Sequence, residues 1–331
     1  SAAAVGLITG VGEASALVLR LLSGRVADRA ASPWRQTLVG YVMTGVCVPL
    51  MALAPSLSVA AVLYTGERVG KAVRTPARDI MLSHASAQVG RGKAFGLHEL
   101  LDKTGAMSGP LLVAGAVALW HDYRWGFAVL ALPAVLAVAQ LGRLRAQAPD
   151  PLAWEPQAQV AEGKRLRLAG GLGATFWHYC AFVAVSMLGF ATWGSLAYHV
   201  SAEHLVGAVW VPVMYAGGMA TAALSAQVFG RLYDRVGLAG LLVMPGLATA
   251  IPWLSFSRGV GALTVGALLW GAVIGMHDAT MRSALADLVP PGRRGAGYGT
   301  FTAVYGLAWM VGASVIGRLY EIGTTVAAVY A

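Results

Sequence analysis

Leu22-Ser23-Gly24-Arg25-Val26-Ala27-Asp28-Arg29 closes one long apolar run, and Phe229-Gly230-Arg231-Leu232-Tyr233-Asp234-Arg235 closes another, with Gly24 and Gly230 standing 206 positions apart. Each copy is followed by two further apolar runs and then a second matching signature. Arg91-Gly92-Lys93-Ala94-Phe95-Gly96 is answered by Arg294-Gly295-Ala296-Gly297-Tyr298-Gly299, 203 positions on. Two landmarks at a nearly constant offset mark a duplicated unit of about 200 residues. Secondary transporters are commonly built by duplicating a multi-span hydrophobic unit.

Composition agrees with a chain immersed in lipid. The 331 residues are 57% hydrophobic and only 12% charged, against roughly 25% charged in an ordinary soluble domain. So few charges cannot cover a soluble surface of this size. The formal net charge is +9, but the basic residues sit at the ends of apolar runs and form no continuous stripe, which argues against nucleic acid. Cys47 and Cys180 lie singly inside apolar runs, so neither a disulfide framework nor a metal site is expected. The chain contains no asparagine, hence no N-glycosylation sequon. It begins at Ser1 already apolar, with no basic n-region, and reads as the inside of a longer protein rather than as a signal peptide.

About 20 apolar residues span ~30 Å of hydrocarbon at 1.5 Å per residue. Runs of that kind are predicted at 2–23, 37–54, 57–81, 95–119, 125–142, 170–190, 206–229, 238–256, 260–285 and 296–319, with a stub from 323. Placing the 24–36 loop in the cytoplasm puts Arg25, Arg29, Arg35, Arg91, Lys93, Arg143, Arg145, Lys164, Arg165, Arg167, Arg231, Arg235, Arg293 and Arg294 inside, and only Arg124, Arg258 and Arg318 outside. That asymmetry fixes the orientation. The expected fold is an all-α integral membrane protein of two pseudo-symmetric helical bundles. They occupy residues 1–142 and 170–331, joined by a basic, proline-containing cytoplasmic linker at 143–169. Five runs precede the linker, while five and the stub follow it. Aligning the copies therefore predicts one more helix before Ser1 and a complete last helix after Ala331, six plus six in all.

The Gly24–Arg29 loop after an apparent second helix, its degenerate repeat at Gly230–Arg235, the helix count and the central basic linker resemble the major facilitator superfamily. Gly105-x-x-x-Gly109-Pro110 is similar to that superfamily's Gly-Pro motif. Where the superfamily often carries Arg-x-x-Gln-Gly, this chain has Glu67-Arg68-Val69-Gly70-Lys71-Ala72-Val73-Arg74-Thr75-Pro76-Ala77-Arg78-Asp79. The resemblance implies a monomeric transporter of the cell inner membrane. It implies alternating access for a small-molecule substrate, with no enzymatic activity and no cofactor. It also implies a cytoplasmic gate in which Asp28 accepts from a helix N-terminus and an arginine. Alignment of the halves offers Arg78 to Asp28 and Arg282 to Asp234, so the gate set is Gly24, Asp28, Arg29, Arg78, Gly230, Asp234, Arg235 and Arg282.

Charges inside the runs carry the functional expectations, because each costs about 2.5–3.5 kcal/mol in the membrane even on the lenient insertion scale. Glu67, Lys71, Arg74 and Arg78 fall on one helical stripe, with Glu67 and Lys71 in the favourable i,i+4 order. At ~1.5 Å per residue Glu67 lies ~15 Å deep, and Lys71 and Arg74 ~21 and ~25 Å. Glu67 is a candidate for carrying the coupling proton and Arg68, Lys71 and Arg74 are candidates for a substrate cavity, although the plainer reading of Arg74, Arg78 and Asp79 is an interface where long side chains snorkel. Glu99–Lys103 and His98–Asp102 are i,i+4 pairs, and Glu99 and Asp102 serve either structural pairing or proton coupling. Glu13, mid-membrane without an opposite charge within a turn, is a further proton site or a protonated structural residue. His277 and Asp278 join the proton-coupling set, and Trp177, His178 and Trp270 the cavity set, against the plainer reading of such rings as packing. No nucleotide-binding signature is visible, so an ion gradient, with protons as the coupling partner, is the expected energy source. The expected activity is proton-coupled efflux of a small organic solute. The alternatives are proton-coupled uptake of an organic anion or zwitterion, and a non-transporting receptor or channel.

Overall fold

The computed structural model describes residues 16, 19–29, 32–154, 172–207 and 210–330. Glu13 and most of the linker lie outside the described residues. The structure is 89% helical, with no strand among the described residues. Helix α1 covers 19–29. Next come α2 (Trp34–Leu50), α3 (Leu57–Ala85), α4 (Arg91–Trp120), α5 (Tyr123–Val129) and α6 (Ala131–Gln147). After the linker follow α7 (Ala174–Leu188), α8 (Trp193–Ala202), α9 (Trp210–Val236), α10 (Val243–Ser255), α11 (Val260–Leu288), α12 (Arg294–Ile322) and α13 (Thr324–Tyr330). Six stretches of the described chain are long and apolar enough to cross a membrane. Helices α3 and α4 are as long, at 29 and 30 residues, but carry the buried charges. The outer helices show what solvent they are made for. Among its described residues α6 buries none, and it presents Leu132, Val135 and Leu136 outward, a surface that hydrocarbon satisfies and water does not.

Two departures from the predicted spans have local causes. The stretch between the predicted runs at 170–190 and 206–229 holds a helix of its own: α7 stops at Gly189, and α8 starts afresh behind Thr192, whose hydroxyl accepts from the Ser195 amide at 3.2 Å. Thr192 is a capping residue between those runs, a signal that hydropathy alone overlooks. The span near 238–256 starts with a 3-10 stretch, Gly237–Leu242, entered through Gly237 at φ +60°. That left-handed backbone is one a side chain would resist.

The described residues form two compact units. One comprises Ser1–Gln88, Ser108–Leu172 and Val289–Ala303; the other comprises Val89–Met107, Gly173–Leu288 and Val304–Ala331. Helices α4 and α12 are each divided between them, so each half of the sequence lends the start of one helix to the unit of the other half.

In the first unit Pro76 lies inside α3 and cannot donate to the Ala72 carbonyl one turn back. Ser23 of α1 supplies the missing donor, its hydroxyl 2.8 Å from that oxygen. Gln36 then ties α2 to both neighbours, donating to the Ser23 and Val73 carbonyls at 2.8 and 3.0 Å. In the second unit α9 and α11 cross through small residues. A side chain at Gly271 would strike the Gly218 carbonyl, and one at Gly275 the Ala222 carbonyl. Thr221 and Ser225 donate across the same seam to Leu268 and Ala272 at 2.8 and 2.6 Å. Close backbone approach of this kind replaces the hydrophobic drive that lipid removes.

Candidate functional site: docked helix starts and a buried ion cluster

The repeated signatures meet each other. In the first unit Asp28, at the end of α1, accepts from the first amides of α12, Gly295 N at 2.6 Å and Ala296 N at 2.7 Å. In the second, Asp234, at the end of α9, accepts from the first amides of α4, Gly92 N at 2.7 Å and Lys93 N at 2.8 Å. A carboxylate on a helix N-terminus satisfies orphan donors and the positive end of the dipole together. The glycines are needed because the backbones touch: any side chain at Gly295 meets the Gly24 carbonyl, and any at Gly92 meets the Gly230 carbonyl.

Behind these clamps the units differ. In the first unit Arg294, 2% exposed, reaches the Ser83 hydroxyl at 3.3 Å. Arg78 bonds the neighbouring buried Asp79 through Nε and a terminal nitrogen, at 3.0 and 2.8 Å. Ala27, Ala77 and Ile80 pack together beneath. In the second unit Arg91 Nε meets Asp287 at 2.9 Å, Tyr233 donates to the other oxygen of that carboxylate at 2.7 Å, and Arg91 also donates to the Ala286 carbonyl.

Two turns further along α4 lies the densest cluster of charge among the described residues. Glu99, 1% exposed, receives the Arg282 guanidinium on one oxygen and has Lys103 Nζ 3.7 Å from the other. Lys103 Nζ lies 2.6 Å from Asp278. Asp102, exposed on α4, is within electrostatic reach of Lys103, and Tyr305 is within reach of Asp278, Lys103 and Arg282. Two carboxylates and two cations thus neutralise one another where an isolated charge would be costly. Spacing within each helix indicated Glu99–Lys103. The link to Asp278 and Arg282 is tertiary, and Tyr305 carries no signal in the sequence.

Several expectations are corrected. Asp234 is not held by Arg282; it accepts from amides, while Arg282 is committed to Glu99. Glu67 meets Arg68 Nε at 3.0 Å rather than Lys71 one turn on, because Arg68 folds back over the Tyr64 ring, 5.0 Å from its centroid. Arg74 stacks on Tyr41 of α2, with its guanidinium carbon 4.0 Å from the ring centroid, and Lys71 is exposed.

Other candidates lie around the ion cluster or away from it. His277, 1% exposed, contacts the Met281 sulfur at 3.0 Å and lies against the Phe190 and Tyr305 rings. Trp270 is buried in an aromatic cluster with Trp193 and Tyr215. Trp177 and His178 are exposed on α7, Trp177 edge-on to Phe176 at 5.4 Å. His98 is half-buried beside Glu99, and Arg29 and Arg235 are exposed beyond the clamps.

A duplicated helical membrane protein with docked signature loops and charges buried in its spans is a secondary transporter by class. The chain matches the Major Facilitator Superfamily over residues 1–313 and belongs to it; it is a transporter and not an enzyme. It is 44% identical over 330 residues to an uncharacterized protein of Mycobacterium tuberculosis, covering 99% of this chain and 81% of that one. It is 22% identical over 339 residues to an uncharacterized MFS-type transporter of Methanocaldococcus jannaschii, covering 98% and 82%. Among solved structures it is similar to the human organic anion transporter MFSD10 (TETRAN), with TM-score 0.73, 16% identity and coverage of 97% and 81%. It is also similar to a bacterial homologue of the iron transporter ferroportin in its outward-facing state, with TM-score 0.67, 14% identity and coverage of 99% and 87%. At those identities the two structures share a fold with this chain.

Proposed function

We propose that the protein is a proton-coupled exporter of a small organic solute. It would work as a monomer in the cell inner membrane, with bundles at 1–142 and 170–331 and the 143–169 linker in the cytoplasm. The observation that carries this reading is the buried Glu99–Arg282–Lys103–Asp278 cluster. Protonating either carboxylate leaves a cation without its counter-ion in a low-dielectric span. That state is relieved when α4 and α11 separate and admit water. Proton binding and movement of the helices are then one event.

The clamps at Asp28 and Asp234 serve as the two sides of the cytoplasmic gate, made and broken once per cycle. One proton moving inward down 100 mV and one pH unit supplies about 3.7 kcal/mol, enough to hold a solute ratio of several hundred. A second reading, proton-coupled uptake of an organic anion, draws on the cationic stripe of α3.

The two readings part in proteoliposomes. A solute found by thermal-shift screening is placed on both sides, and the outside is acidified by about one pH unit. Export predicts that solute leaves the lumen against its gradient. Accumulation in the lumen selects uptake, and no response to the gradient removes proton coupling altogether.

A further inference from the structure

The duplication points to a counter-ion that the described residues do not provide. Arg91 pairs with Asp287 at 2.9 Å and Arg294 with Ser83 at 3.3 Å. Position 83 therefore corresponds to 287, and 91 to 294. Continuing along the same uninterrupted helices, Arg74 of α3 corresponds to Asp278 of α11, and Gly306 of α12 corresponds to Lys103 of α4. In the second unit Asp278 is neutralised by Lys103 at 2.6 Å. In the first half of the sequence the position equivalent to Asp278 carries the opposite charge, and position 306, which matches Lys103, is a glycine.

Arg74 makes no ion pair among the described residues. Its contact is the Tyr41 ring, and its Nε is buried without a hydrogen-bond partner. Nearby on the same helix Glu67 is already taken by Arg68, 3.0 Å away, and adds no charge to share. An arginine held by a ring face keeps its fork of donors free for a planar anion. A cation in a span calls for a partner.

We propose that this partner is the substrate: Arg74 receives the carboxylate-type head of an organic anion, with Tyr41 fixing the guanidinium plane. The inference rests on the transporter reading and deepens it by naming the solute class. It does not depend on proton coupling, because binding is measured without any gradient.

The test is equilibrium binding of 5-carboxyfluorescein to purified protein in nanodiscs of phosphatidylcholine, with phosphatidylglycerol-containing nanodiscs as a second arm. Wild type binds saturably in both. Arg74→Gln weakens binding about ten- to a hundredfold, the scale of losing a charge-assisted hydrogen-bond pair, and Arg74→Lys retains most of it. Melting temperatures confirm that both variants fold. Absence of saturable binding by wild type overturns the proposal, as does equal binding by Arg74→Gln. Dye binding that phosphatidylglycerol abolishes also overturns it, because the arginine would then be a lipid headgroup site. Failure of pH-driven transport with intact Arg74-dependent binding would strike the coupling reading alone.

Discussion

Glu99→Gln is expected to reduce solute transport driven by a pH gradient at least about tenfold, while gradient-free counterflow stays within about threefold of wild type. Glutamine keeps the shape of the side chain and leaves Arg282 an acceptor, but it stands for the protonated carboxyl and fixes the α4–α11 balance that protonation sets. What is lost is a group that can alternate between a charged partner and a neutral one. The contrast with Glu99→Ala is part of the argument. Removing one member of a buried pair strands the other and costs about 3–5 kcal/mol, so alanine should lower the melting temperature markedly and glutamine should not. The measurement is paired, with gradient-driven export and counterflow from the same proteoliposomes. If Glu99→Gln loses neither, the coupling proton binds elsewhere.

The second large effect falls on the clamps. Asp28→Asn removes the negative charge from the first turn of α12, where it meets Gly295 N at 2.6 Å and Ala296 N at 2.7 Å. A carboxylate at a partly buried helix N-terminus is worth up to about 2 kcal/mol. One neutralised clamp therefore shifts a two-state equilibrium by roughly tenfold or more. Asp234→Asn acts in the same direction on α4, more weakly because Asp234 is exposed. In proteoliposomes Asp28→Asn should lower turnover by about tenfold and Asp234→Asn by about threefold. The two together should exceed either alone, since they act on separate helix starts. Unchanged turnover in Asp28→Asn would show that the loops are passive connections.

Most of the fold was legible because the bilayer writes it in one dimension: length, apolarity and the placement of arginine. The breaks were not, since Thr192 and Gly237 act through local backbone chemistry that a hydropathy window averages away. The repeat located the clamp residues, and Asp28 and Asp234 do accept from helix starts. It misassigned Arg282, because an arginine has a long reach and Glu99, on another helix, lies within it. Glu67 behaved similarly: helical spacing favoured Lys71, but the stack of Arg68 on Tyr64 brought a closer cation. Pairings within one helix can be read from spacing, whereas pairings between helices need the packing. The asymmetry between Arg74 and Asp278 was present in the sequence, but it acquired meaning only once Arg91–Asp287 and Arg294–Ser83 fixed the register.

The central claim is that solute movement and proton movement are one process at the Glu99 cluster, and lumenal pH reports it most directly. Proteoliposomes carrying a pH-sensitive dye are loaded with solute and diluted into solute-free buffer of equal pH. The account predicts that the lumen acidifies as solute leaves, and that Glu99→Gln abolishes the acidification. Saturable solute efflux from wild type with no change in lumenal pH would contradict it.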